Sequence, residues 1–266
     1  MKKNILFFCL FFLSFSLVNL SFAASRSEHS EWKEYKKNHF IVYYKNAPLN
    51  FVEAVQKNAE RYYEEVAQNL GFTRYKGWIG DERGKIYIYD NADDYIQNAG
   101  QAQWSHGVAS PQERIIKTYP AAQGFFDTVL PHELGHIVFR EMVGFKTDEI
   151  PLWFEEGVAI YQEQAKRLGS HDAVRKAIDD GTFVPLNELT LTQLSQNSDQ
   201  DQVELFYAES ASIVNYLIAE LGQYRFVRFC RELEEGTPFE WALDQVYTRF
   251  KNMEDLNQAW IQFLKR

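Results

Sequence analysis

Pro131-His132-Glu133-Leu134-Gly135-His136 is the stretch on which the reading of this 266-residue sequence turns. It has the form H-E-x-x-H. On an α-helix each residue advances about 100° around the axis, so His132 and His136 lie about 40° apart in projection and one turn apart along it. Two imidazoles in that relation can reach one ion from the same face. Glu133 sits about 60° to the side of His136, where it reaches a water on the ion rather than the ion itself. The spacing suits a zinc hydrolase: two neutral imidazoles hold the metal, the metal acidifies a water, and the carboxylate takes the proton. The alternative is an ordinary polar helix face. Pro131 is tolerated in a first turn, where a missing N–H matters little, so the helix is expected to begin near Asp127 or Thr128 and to stop at Gly144. Val129, Leu130, Leu134, Ile137, Val138, Met142 and Val143 give it a largely buried body.

A zinc ion held by two histidines needs a third protein ligand. The second informative stretch, Ile150 to Tyr161, opens with Pro151 at a helix start and runs Trp153-Phe154-Glu155-Glu156-Gly157-Val158-Ala159. Two carboxylates in so apolar a run need a partner or a metal. The intervening chain is long enough for the first helix to end, turn, and send a second helix back past the ion. Together the two motifs resemble the gluzincin metallopeptidases, and especially the peptidase MA-like proteins. The resemblance implies that Glu156 is the third zinc ligand and that Gly157 allows close helix packing near the metal. It also makes Glu155 a candidate for orienting a ligand histidine; a solvated acid balancing the helix dipole is the other reading. Phe206-Tyr207-Ala208-Glu209-Ser210 is similar to the segment after the third ligand in these proteins. It implies a Tyr207 hydroxyl that stabilises the oxyanion of a tetrahedral intermediate, against the alternative of a core tyrosine. The chain lacks the G-x-M-E-N run of the aminopeptidase branch, so recognition of a free substrate N-terminus has no support. It also lacks the third histidine of the metzincins.

Composition narrows the setting. The formal charge is −9, which disfavours nucleic acid and anionic membrane surfaces as partners. Aromatic residues make up 16%, enough for a sizeable core. Lys2 and Lys3, the apolar run Ile5–Leu20 and the small residues Ser21-Phe22-Ala23 read as a secretory signal cleaved after Ala23. An uncleaved anchor is the alternative, though the run is short for a span of about 20 residues. Cleavage would leave Cys230 as the lone cysteine, with no internal disulfide, on an apolar helical stretch where it reads as a small buried hydrophobe.

Along the chain, residues 24–31 are polar and expected to fray, with His29 solvated. His39–Tyr44 reads as a strand. Asn50 is expected to cap a long amphipathic helix ending at Gly71, with Glu53 three residues on. Lys85–Tyr89 and Arg114–Tyr119 read as strands, Ala92–Asn98 as a short helix, and Gly107-Val108-Ala109 as an edge strand able to pair with an extended peptide. His106 beside it reads as a loop histidine. Val184-Pro185-Leu186 and the residues beyond are helical, with a polar loop at 195–201 and a helix from Phe206 through Leu221. Thr237-Pro238-Phe239-Glu240 reads as a capping box, and Trp241, Leu243, Val246, Leu256, Trp260 and Phe263 as core. His171 is expected at the surface.

The expected fold is α+β and zincin-like: a small mixed sheet with the active-site helix, and a helical C-terminal lobe. The chain divides into a signal peptide (1–23), an N-terminal α/β lobe carrying the histidines (24–144), and a C-terminal lobe carrying the third ligand (145–266). The expected function is zinc-dependent hydrolysis of peptide or protein substrates by an exported, periplasmic or extracellular protein without a membrane span. His132, His136 and Glu156 hold the zinc, Glu133 is the base and Tyr207 assists. A zinc-bearing binding or scaffold protein without turnover, and a cell-wall peptide amidase, are the alternatives.

Overall fold

The computed structural model describes residues 32–72, 77–99, 107–120, 124–145, 150–194 and 198–266. The expected signal segment, His29 and His106 lie outside the described residues. Five strands form one mixed sheet in the order β1-β2-β3-β5-β4: β1 (Lys33–Lys36), β2 (Phe40–Tyr44), β3 (Gly84–Ile88), β4 (Gly107–Ser110) and β5 (Ile115–Thr118). The inner pairs β2–β3 and β3–β5 are parallel, and the outer strands β1 and β4 run antiparallel to their neighbours. Alternate residues of β2 and β3 are buried, as period-two side chains on a half-covered sheet must be. Helix α1 (Leu49–Leu70) covers that face with Val52, Val55, Ala59, Tyr62, Tyr63 and Val66.

The short helix α2 (Ala92–Ala99) follows β3, and the active helix α3 (Leu130–Val143) follows β5. Then come α4 (Leu152–Tyr161), α5 (Gln164–Asp180), α6 (Leu186–Leu191), α7 (Gln200–Asn215), α8 (Gln223–Glu234), α9 (Phe239–Tyr247) and α10 (Met253–Leu264). One core of buried residues draws on both halves of the chain. Its centre is an aromatic cluster in which Phe154 of α4 meets Phe139 of α3, Phe229 of α8 and Phe239 of α9 at 5.2–5.5 Å between ring centroids. Each fully buried Phe contributes roughly 1.5–3 kcal/mol, so this cluster fixes α3 and α4 against the helices behind them. Cys230 is buried there too, and burial pushes its thiol up.

Several sequence expectations are corrected. Asn50 does not cap α1: Pro48 holds that position, with no side-chain cap. The capping box at 237–240 does not form either. The Glu240 carboxylate instead accepts from the Met253 N–H at the start of α10, and Thr237 Oγ1 turns to Glu232. Trp241 is 69% exposed rather than core, because Ala242, Leu243 and Val246 define the inner face of α9 and position 241 faces away. His171 is not a plain surface residue: it is half-buried between α5 and α7, 2.8 Å from Ser212 Oγ and 3.2 Å from Asn215 Nδ2. Helix α7 starts at Gln200, earlier than expected, because the Asp199 carboxylate caps it by accepting from the N–H groups of Asp201 and Gln202.

Candidate metal centre

Pro131 is accommodated by a wide turn. Residues Phe125–Val129 form a π-helical turn in which the N–H of Leu130 reaches back to the Phe125 carbonyl. A proline ring crowds the carbonyl four residues before it. The wider i+5 turn precedes Pro131, so the chain is helical from Phe125 and still tolerates the proline at the start of α3. The histidines therefore sit near the beginning of a buried helix, flanked by Leu130, Leu134 and Ile137.

Two glycines let the ligand helices meet. A Cβ at Gly135, between the two histidines, would lie 2.9 Å from Ala159 Cα on α4. A Cβ at Gly157 would lie 2.6 Å from Val214 Cγ2 and 2.9 Å from the Ser210 carbonyl carbon on α7. Helix α4 is thus held tightly between α3 and α7, with Glu156 turned toward the histidines. His132 Nε2 and His136 Nε2 are 3.1 Å apart, His132 Nε2 is 3.6 Å from Glu156 Oε2, and His136 Nε2 is 3.8 Å from Glu156 Oε1. All three side chains are buried and offer donors to one point.

The residues fit a zinc ion. Four bonds of about 2.0–2.1 Å in tetrahedral geometry separate ligand atoms by about 3.3–3.4 Å; the two Nε2 atoms at 3.1 Å and His132 Nε2 to Glu156 Oε2 at 3.6 Å bracket that spacing, and one ligand atom from each of the three side chains lies within 4.8 Å of the others. Glu156 Oε2 has no hydrogen-bond partner among the described residues. Burial first, then the Glu155 and Glu163 carboxylates, push Glu156 up to about 8, with Lys166 opposing. Burial, and then the neighbouring His132, drive His136 well below the usual imidazole range, so it is neutral. A buried carboxylate pressed toward its neutral form beside lone-pair imidazoles is a donor set that a divalent cation would stabilise in its charged form.

The surrounding acids have distinct tasks. His132 Nδ1–H donates to Glu163 Oε1 at 2.9 Å, which fixes the ring and leaves Nε2 with its lone pair toward the shared point. Lys166 Nζ in turn lies 2.8 Å from Glu163 Oε2. Sequence reasoning missed Glu163 and considered Glu155 for this kind of role. Glu155 is neither beside His132 Nδ1 nor solvated. It is buried and ion-paired with Arg140, which ties the end of α3 to the start of α4. No local signal marks Glu163: it lies past the end of α4 at Tyr161, as the residue that precedes α5, so helical spacing from Glu156 does not place it.

Glu133 is 1% exposed. Burial and then the Glu156 carboxylate push it well above the usual carboxylate range, while an N–H from the Ala109 backbone opposes them. Its Oε1 has no hydrogen-bond partner among the described residues. Ala109 lies on β4, the sheet edge, so the strand expected at 107–109 is at an edge and borders the site. The hairpin of β4 and β5 is anchored from behind. Arg114, in a left-handed conformation at φ 54°, pairs with Glu141 at the far end of α3, and Trp78 Nε1 donates to the same carboxylate at 2.8 Å. Burial pushes Glu141 up to about 8. Tyr207 of α7 is buried and lines a small pocket with His132, Glu163 and Lys166.

The profile of the Peptidase MA superfamily matches residues 76–266, well over half of the chain and inclusive of every residue named at this site. The chain belongs to the peptidase MA superfamily. It is by that membership a metallopeptidase-family protein, and the α+β zincin-like fold is the one described above. Among solved structures, yeast LTA4 hydrolase in complex with bestatin is similar at 17% identity with a TM-score of 0.48. That match covers 84% of this chain, which spans 37% of the yeast chain. No curated protein matches. Within the peptidase MA frame, no helix among the described residues is long and apolar enough to cross a membrane.

Proposed function

We propose that the protein is a zinc peptidase of the gluzincin type, in which His132, His136 and Glu156 hold the ion and Glu133 handles the proton. The observation that carries the proposal is the convergence of three buried donors at 3.1–3.8 Å with Glu133 beside them. A zinc ion held by these three side chains would supply Lewis acidity, lowering the pKa of a water toward about 7 and polarising a scissile carbonyl. Glu133 accepts the proton at its carboxylate and returns it to the leaving amine. Glu163 keeps His132 in the tautomer that presents Nε2. Tyr207, in the pocket next to His132, donates its hydroxyl to the developing oxyanion. The β4 edge offers backbone for an extended substrate to lie along.

Replacement of Glu133 by Gln tests the reading. The variant keeps one zinc per chain and loses cleavage of a quenched-fluorescence peptide library; full activity in it would remove Glu133 as the base. In the variant Glu156→Ala, undiminished zinc affinity would remove Glu156 as a ligand. Export belongs to the same proposal. The protein recovered outside the cytoplasm is expected to begin at Ala24, and an N-terminus at Met1 would contradict cleavage.

A further inference from the structure

We infer that the pocket beside His132 selects a carboxylate close to the scissile bond and that Lys166 is the residue that reads it. The inference deepens the peptidase reading above and rests on it. The pocket is walled by Val129, Ile160 and Tyr207, all buried, and its polar side is formed by His132, Glu163 and Lys166. Lys166 is the one cation lining it among the described residues.

Two features make that ammonium a reader of substrate rather than a solvated surface charge. First, it is held in place. Its Nζ is 2.8 Å from Glu163 Oε2, and the other oxygen of that carboxylate holds His132. A lysine ordinarily loses considerable side-chain freedom when it binds a partner; here the side chain is already positioned by a buried acid, so less is lost on meeting a substrate. Second, it is within reach. Its side chain is 33% exposed where it enters the pocket, one carboxylate away from a metal ligand. A group bound to it therefore sits within a few residues of the reacting carbonyl.

The charge pattern gives the sign of the preference. Glu133, Glu156 and Glu163 place three carboxylates around the centre, and Lys166 is where an incoming anion finds a partner. A substrate carboxylate forms a charge-assisted hydrogen bond with the ammonium, about twice as strong as the neutral bond an amide would make. A basic side chain entering the pocket meets like charge. The carboxylate is either an Asp or Glu side chain or the C-terminal carboxylate of a short peptide.

Binding rather than turnover tests this. The Glu133→Gln protein, as isolated and after zinc loading, is titrated calorimetrically with two matched pairs of blocked peptides. One pair is acetyl-Ala-Ala-Glu-Ala-Ala-amide and its Gln counterpart. The other is acetyl-Ala-Ala-Ala as the free acid and as the amide. At least one pair is expected to show about tenfold tighter binding of the carboxylate form, and which pair does so identifies the source. Adding Lys166→Met is expected to abolish the difference, whereas Lys166→Arg keeps it. The ratio within a pair cancels any uniform loss from a loosened Glu163. Equal affinities within both pairs, or a preference that survives Lys166→Met, would overturn the inference. A wild-type protein that cleaves nothing yet shows the Lys166-dependent preference would refute the peptidase reading and leave the pocket assignment standing.

Discussion

Replacing Gly157 by Ala probes the packing that brings Glu156 to the histidines. The new methyl would fall inside contact distance of the Ser210 carbonyl oxygen, 2.9 Å from its carbon and 2.6 Å from Val214 Cγ2. Val214 can change rotamer, but the Ser210 peptide lies within α7 and cannot swing aside. Restoring ordinary contact requires α4 and α7 to separate by at least about 0.5 Å. Overpacking of this kind costs roughly 1–3 kcal/mol, and two clashes with backbone put it at the upper end. The helix propensity of Ala returns about 1 kcal/mol. The net loss is about 2 kcal/mol, or roughly 4–8 °C in Tm for a chain of this size. The metal feels it more, because ligand distances are tolerated only to within about 0.2 Å and Glu156 is the adjacent residue. Zinc affinity should fall about tenfold or more, the scale seen when groups that orient metal ligands are lost. Gly169 in α5 is the control: a Cβ there meets nothing within 4 Å, so Gly169→Ala should be neutral or stabilising. Thermal melts and competitive zinc titrations of both variants read these effects. A Gly157→Ala protein that melts with the wild type and binds zinc as tightly would refute the close approach of α4 to α7.

Two further outcomes follow from the buried acids. Glu163→Gln should weaken zinc binding by about 10–100-fold while leaving the fold intact, because the amide holds His132 less firmly; unchanged affinity in a chelator competition would contradict its orienting role. Glu209 is buried on α7, accepts from the Val184 N–H at 2.9 Å, and is pushed up to about 8 by burial, with that N–H opposing. Below its ordinary value of 4.5 both folded and unfolded chains hold the proton. As pH rises toward 8 the unfolded chain releases it and the folded chain keeps it, so stability falls across that window, by an amount on the order of 5 kcal/mol at most. Glu209→Gln keeps an acceptor for Val184 and does not titrate, so its advantage in denaturant melts should grow from pH 5 to pH 8; an advantage independent of pH would contradict the assignment.

The parts of the fold that were legible in the sequence are those where one local rule dominates. The strands at Phe40 and Ile86 carry unbroken runs of β-branched or aromatic residues, and α1 repeats its apolar positions with Gly71 as its stop. The H-E-x-x-H spacing is likewise a property of five consecutive residues. What escaped was set by tertiary partners. Strand β1, Lys-Glu-Tyr-Lys, is an edge with little to bury, so it carries no apolar alternation. The capping box failed because Glu240 had a competing N–H at Met253, distant in sequence. Glu163 was hidden because it follows the end of α4 and precedes α5, and only the meeting of α3 with that junction shows what it orients. Gly135 occupies an unspecified position of the motif, yet the contact between α3 and α4 leaves no space for a side chain there.

Anomalous diffraction from crystals of the zinc-loaded protein, recorded on both sides of the zinc absorption edge, addresses the centre most directly. A single strong peak is expected at about 2.0–2.1 Å from Nε2 of both His132 and His136 and about 2.0–2.2 Å from a Glu156 carboxylate oxygen. A peak elsewhere, or none among these three side chains at full zinc loading, would contradict the account.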